Sequence, residues 1–198
     1  MADDLPELVV GDSAALRQWL TEHAEQPTGV WLVLAKKDTE VPTRLSYDDA
    51  VVQALCFGWI DGQVRRRDEW TYRIRFTPRR PRSIWSQRNV GIVARLVDQG
   101  LMQPRGLAEV ERARADGRWD AAYAGPATIT VPDDLAAALA ADPAAQLTWA
   151  RLTSQNRFAV LWRVGQAKRA DTRARRIADF VAMLARGETL YPQRRSDS

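Results

Sequence analysis

Apolar positions recur along the first half of the chain with two different periods. Leu16, Trp19, Leu20 and His23 fall at spacings of three and four, one face of a helix that Asp12 caps and Gln26-Pro27-Thr28-Gly29 breaks. Residues 30–35, VWLVLA, form a short apolar run rich in β-formers, the pattern of a buried strand. Ser46 followed by Asp49 makes a capping-box arrangement, with Ala50, Val51, Ala54 and Leu55 as the buried stripe behind it. Gly58 then stands where a helix end takes positive φ. Residues 59–64 read as a strand and 65–69 as a polar turn. Trp70, Tyr72, Ile74 and Phe76 next alternate with Thr71, Arg73, Arg75 and Thr77, a strict period of two. This predicts a hairpin whose second strand turns its aromatic face to the core and its arginines to solvent or acidic partners. Pro78 and Pro81 hold the following stretch extended.

From there the pattern is helical. Ser83 is expected to cap a helix over 84–99, with Val90, Val93, Leu96 and Val97 inside and Gly100 at its end. Pro104 opens a shorter helix, with Leu107 and Val110 inside, closed by Gly117. A Gly-Pro linker spans 124–131. Pro132 and Pro143 sit at helix starts, their favoured position. Leu135, Leu139, Leu147 and Leu152 face inward from two short helices. Ser154 is placed to cap a helix carrying Phe158, Leu161 and Trp162, and a last helix near 172–186 buries Ile177, Phe180, Val181 and Leu184 before Gly187. The order predicts an α+β fold: a small mixed sheet with a β-hairpin packed by helices, then a C-terminal helical bundle. The domains expected are 1–123, a helical subdomain over 132–188 and a mobile tail over 189–198.

Charge changes this picture more than overall composition does. The chain of 198 residues carries a formal +4, yet between Arg65 and Arg88 nine arginines face only Asp68 and Glu69. A second basic segment runs from Arg157 to Arg195, so the remainder is strongly acidic. Basic residues gathered in this way attract anions. The one histidine, His23, and the one cysteine, Cys56, exclude an internal disulfide and read as packing residues; no metal-ligand cluster and no cofactor motif is visible. The acidic N-terminus and the lack of a long apolar run lead to the expectation of a cytoplasmic protein without membrane insertion.

The segments ALCFGWIDGQ, RFTPRRPRSIWSQRN, GLMQPRGLAEVERA, ADGRWDAAY and RFAVLWRVGQAKRADTRARRIADFVAMLARGE resemble the bacterial YdeI/OmpD-associated (OmdA) family, also labelled bacteriocin-protection proteins. The resemblance covers most of the chain from Ser46 to Glu188. It implies an association with stress and antimicrobial-peptide protection and carries over no catalytic residues.

The candidate site lies in 57–89. Arg79, Arg80, Trp85, Ser86 and Asn89 would combine forked donors with the free N–H groups of a helix start, a set suited to carboxylate or phosphate. Trp59 and Asp61 lie in the preceding strand, and Asp61 either orients an arginine or works as an acid/base. The leading reading is a non-enzymatic binder of a small anionic ligand or a partner protein, with a protective role. An enzyme acting on an anionic small molecule, with Asp61 as acid/base and Arg79 or Arg80 holding the anion, is the alternative. A third reading is nucleic-acid binding through the arginine-aromatic strand.

Overall fold

A computed structural model of the chain describes residues 5–125 and 128–193. They form two compact units, Met1–Tyr123 and Ala124–Ser198. The fold is α+β.

The first unit is built on a four-stranded mixed sheet in the order β1-β2-β4-β3. Its strands are β1 (Glu7–Leu8), β2 (Val30–Ala35), β3 (Trp59–Arg66) and β4 (Thr71–Pro78). β1 runs parallel to β2, and β2 and β3 both run antiparallel to β4. The helices are α1 (Ser13–Glu22), α2 (Tyr47–Cys56), α3 (Gln87–Asp98) and α4 (Pro104–Ala115). Val30, Leu32 and Leu34 of β2 and Ile74 and Phe76 of β4 join Leu16, Leu20, Val51, Leu55, Val93 and Val110 from the helices in one core.

Local chemistry fixes the ends of these helices. The Asp12 carboxylate accepts the N–H groups of Ala14 and Ala15, and the Ser46 hydroxyl accepts that of Asp49 while donating to the Asp49 carboxylate. Gly58 follows α2 with φ +73, and a side chain there would press on the backbone of Arg105 in α4. Gly106 is tighter still, because a Cβ would meet the carbonyl oxygen of Cys56. That contact, with the Gln103 N–H donating to the same oxygen at 2.9 Å, lets the start of α4 lie against the end of α2.

Several expectations need correction. Trp70 is not in the core but 59% exposed. The Asp68 carboxylate gathers the N–H groups of Trp70 and Thr71 into a tight turn, so the strand starts at Thr71 and the core-facing alternation at Tyr72. The hydroxyl of Ser83 accepts the Arg80 N–H and does not cap the helix; α3 starts at Gln87 with Ser86 as its N-cap. Its buried face is then Asn89, Ile92, Val93 and Leu96, which leaves Val97 outward. Leu107 and Leu147 are also exposed. In α4 the inward face is Gly106, Glu109, Val110 and Ala113, set by the Gly106 contact.

Arg73 meets its expected acidic partner, bonding to Glu7 at 3.2 Å, and Glu7 also takes Arg67 at 2.9 Å. The guanidinium carbons of Arg65 and Arg73 lie 4.6 and 5.2 Å from the ring centre of Trp31, which is buried. The second face of the sheet is thus covered by arginine stacked on tryptophan.

The second unit, among its described residues, is all helix: α5 (Asp133–Ala140), α6 (Pro143–Ala150), α7 (Ser154–Gly165) and α8 (Ala170–Ala185). Leu135, Leu139, Val160, Leu161, Val164, Ile177 and Leu184 form its core. Thr153, not Ser154, caps α7, its hydroxyl accepting the Asn156 N–H. Asn156 is buried and binds both the N–H and the carbonyl of Tyr191, and Gln193 as well. Residues 189–193 of the expected tail are held in this way; 194–198, and 126–127 of the expected linker, lie outside the described residues.

Candidate functional site

The candidate site grows from the place where β4 ends. Pro78 pairs with Trp59 at the start of β3, and the Arg79 N–H donates to the carbonyl of Gly58 at 2.9 Å. The chain cannot continue as sheet past the two prolines, so it crosses to α3 through residues 80–85. Arg79 is carried inward and is only 6% exposed. Its guanidinium lies 3.6 Å from the ring centre of Trp85, and Trp85 in turn packs on Trp119 at 4.9 Å.

The hydrogen bonding of Arg79 is one-sided. Nη1 donates to the carbonyl of Ile84 at 3.1 Å. Nε and Nη2, both buried, have no partner among the described residues. These two nitrogens share one edge of the planar fork, the edge that takes both oxygens of a carboxylate or two of a phosphate at once. Burial pushes the Arg79 guanidinium down to about 10, opposed by the negative charges of Glu109 and Asp61 and assisted by the positive charge of Arg118. It therefore stays charged at neutral pH.

Around it stand groups from distant parts of the sequence. Asp61 accepts the Tyr47 hydroxyl at 2.9 Å, and burial together with that carboxylate raises the Tyr47 phenol above its ordinary range. Tyr123 pairs with Ser86 through a parallel bridge, and its phenol is raised first by burial and then by the charge of Asp61. Glu109, 6% exposed, bonds Arg112 through Oε1, and its Oε2 has no partner among the described residues. Arg118 fixes the crossing segment by donating to the Ser83 carbonyl at 2.7 Å. Tyr47, Glu109, Arg118 and Tyr123 escaped the sequence reading because no local pattern marks them. Only the fold brings α2, α4 and the 118–123 return to one place.

Of the expected site residues, Arg79, Trp85, Ser86 and Asp61 belong to this neighbourhood. Trp59 is buried, edge-on to Trp19 at 5.8 Å, and its indole N–H has no partner among the described residues. Asn89 is buried at the third position of α3. Arg80 is exposed; its backbone N–H donates to the Ser83 hydroxyl and its carbonyl accepts the Ser83 N–H. The helix start is also less open than its sequence implied. Gln87 N–H donates to Tyr123, Asn89 N–H to the Ser86 hydroxyl and Val90 N–H to the Ser86 carbonyl. Of the first α3 N–H groups three are thus taken, and the buried donors at this place are those of Arg79. Among the described residues no group of three or more His, Cys, Asp or Glu is placed to hold a metal ion. No helix there is long and apolar enough to cross a membrane.

Residues 8–109, just over half of the chain, match the family model described as Domain of unknown function (DUF8412). The chain belongs to this family. The match takes in every strand but the first residue of β1, and Arg79, Trp85 and Glu109 with them. Residues 128–187 match the model described as Bacteriocin-protection, YdeI or OmpD-Associated (OmdA). The OmdA likeness drawn from the sequence thus lies in the helical unit, while the FGWIDG and RFTPRRPRSIWS segments fall under the DUF8412 match. No curated protein and no solved structure matched the chain.

Proposed function

We propose that this DUF8412 protein is a non-enzymatic, cytoplasmic binding protein for a small oxoanion, a carboxylate or phosphate, held on the Nε–Nη2 edge of Arg79. One observation carries the reading: a charged, buried guanidinium with one whole edge unpartnered among the described residues. Leaving buried charged donors unmet is costly, and a ligand that supplies two acceptors removes that cost. The stacked Trp85 ring and the Ile84 carbonyl keep the fork from rotating away. Because the edge is closed to solvent, binding is coupled to a local opening, and association slower than ordinary encounter is expected. A protective role against bacteriocin-like peptides rests on the OmdA match alone. Asp61 is read as the acceptor that sets Tyr47, rather than as an acid/base.

Calorimetry with acetate, succinate and inorganic phosphate tests the reading on the native protein and on Arg79→Lys. Lysine keeps the charge and loses the fork, so affinity should fall by about tenfold to a hundredfold, as for a lost charge-assisted hydrogen bond of roughly 1.5–3 kcal/mol. Absence of binding to the native protein, or equal binding by both, rejects the site.

A further inference from the structure

The helical unit holds a cleft that the reading above does not use. About 380 Å³ in volume, it lies between α7 and α8 and is lined by Trp162, Arg163, Gln166, Arg176 and Phe180. That is the small end of the range of natural ligand pockets, roughly 300–1,000 Å³. Helical spacing produces it: Trp162 and Gln166 are four apart on and just after α7, and Arg176 and Phe180 four apart on α8. Each helix thus offers a ring and a polar group to the same gap.

Both arginines are fixed before any ligand arrives. Arg176 Nη1 donates to the Arg163 carbonyl at 2.6 Å, near the end of α7. Arg163 donates to the Ala159 carbonyl at 3.2 Å and lies 5.9 Å from the ring centre of Tyr191. A side chain already held in place loses less freedom on binding. The remaining edge of Arg176, Nε and Nη2, makes no hydrogen bond to any described residue. Asp179, three residues on, forms no ion pair with it among the described residues. The rings of Trp162 and Phe180 are half-buried, so each keeps open surface.

We propose that this cleft binds a small organic anion carrying a planar ring, its ring against Trp162 and Phe180 and its carboxylate or phosphate on the free edge of Arg176. Neither half of such a ligand suffices, because a ring alone leaves the guanidinium unpaired and an anion alone leaves the ring surfaces wet.

The experiment follows the Trp162 indole N–H by NMR in the full chain, assigned with Trp162→Phe. The probes are indole-3-acetate, indole and acetate. Indole-3-acetate should shift this signal saturably, at least about tenfold more tightly than either fragment. Arg176→Gln, which keeps a donor for the Arg163 carbonyl, should weaken it by a similar factor, and Arg79→Lys should leave it unchanged. The proposal is overturned if indole-3-acetate does not shift Trp162 in the native protein, if indole alone binds as well, or if Arg176→Gln has no effect. Dependence on Arg79 with indifference to Arg176 would also overturn it.

Discussion

Gly106→Ala and Gly91→Ala make the same chemical change in two neighbouring helices, and the structure gives them opposite signs. At Gly106 the new methyl would meet the carbonyl oxygen of Cys56, with the Cys56 carbon at 2.8 Å and the Leu55 oxygen at 3.0 Å. All three are backbone atoms, so no side chain can swing aside, and α4 must back away from α2. Overpacking of this kind costs about 1–3 kcal/mol. Separation also strains the Gln103 N–H bond to Cys56, worth about 0.5–1.5 kcal/mol. Alanine returns up to about 1 kcal/mol as the better helix former. The net expectation is a loss of about 1–3 kcal/mol. At Gly91 nothing lies within 4 Å of the added Cβ, so only the helix gain of about 0.5–1 kcal/mol remains. Urea unfolding of the three proteins reads the difference as shifts in midpoint at constant slope. Gly106→Ala as stable as the native protein, or both variants shifted in the same direction, would refute the packing argument. The result bears on the site as well, because α4 carries Glu109 beside Arg79.

Two further expectations are separable from this one. Asp68 is held down to about 2, first by the Thr71 hydroxyl and then by the N–H groups of Thr71 and Trp70 and by Arg67. A carboxylate lowered by folding stabilises above its ordinary value near 3.8 and loses that contribution as pH falls through about 2. The hairpin tip should therefore loosen between about pH 4 and pH 2, read as a change in Trp70 fluorescence, and Asp68→Asn should remove that step. Asn156→Ala leaves the Tyr191 N–H without its partner and removes one of two donors to the Tyr191 carbonyl, the other being the Thr189 hydroxyl. It should lower the stability of the helical unit by about 2–3 kcal/mol and speed proteolysis after Leu190, whereas unchanged unfolding would show that these bonds hold nothing.

What the sequence disclosed, and what it withheld, follows the range of the forces involved. Asp12, Ser46 with Asp49, and the glycines at 58, 100, 117 and 187 act within one turn of backbone, and each stands at the helix boundary its type implies. Ser83 and Ser86 are equally good caps by composition. The choice between them is made by the bridge from Ser86 to Tyr123 and by Arg118 on the Ser83 carbonyl, contacts across more than thirty residues. β1 is two residues long and defined only by its pairing with Trp31 and Leu32, so no period could reveal it. Trp70 matched the alternation of β4, and the Asp68 turn took it out of register with the core. For the site, the sequence located Arg79 and Trp85 in a basic, proline-stiffened stretch. It could not show that Arg79 is buried while its neighbour Arg80 stays outside, since that depends on where the chain turns after Pro78.

The central claim concerns two N–H groups, and they are directly observable. The Nε–H of Arg79, assigned by its absence in Arg79→Lys, should be followed by proton–nitrogen NMR as acetate or inorganic phosphate is added. A saturable downfield shift of that one signal, at the concentration at which calorimetry records binding, is the expected result. An Nε–H that stays in place while the anion binds, or no binding at all, would contradict the assignment of this edge as the anion site.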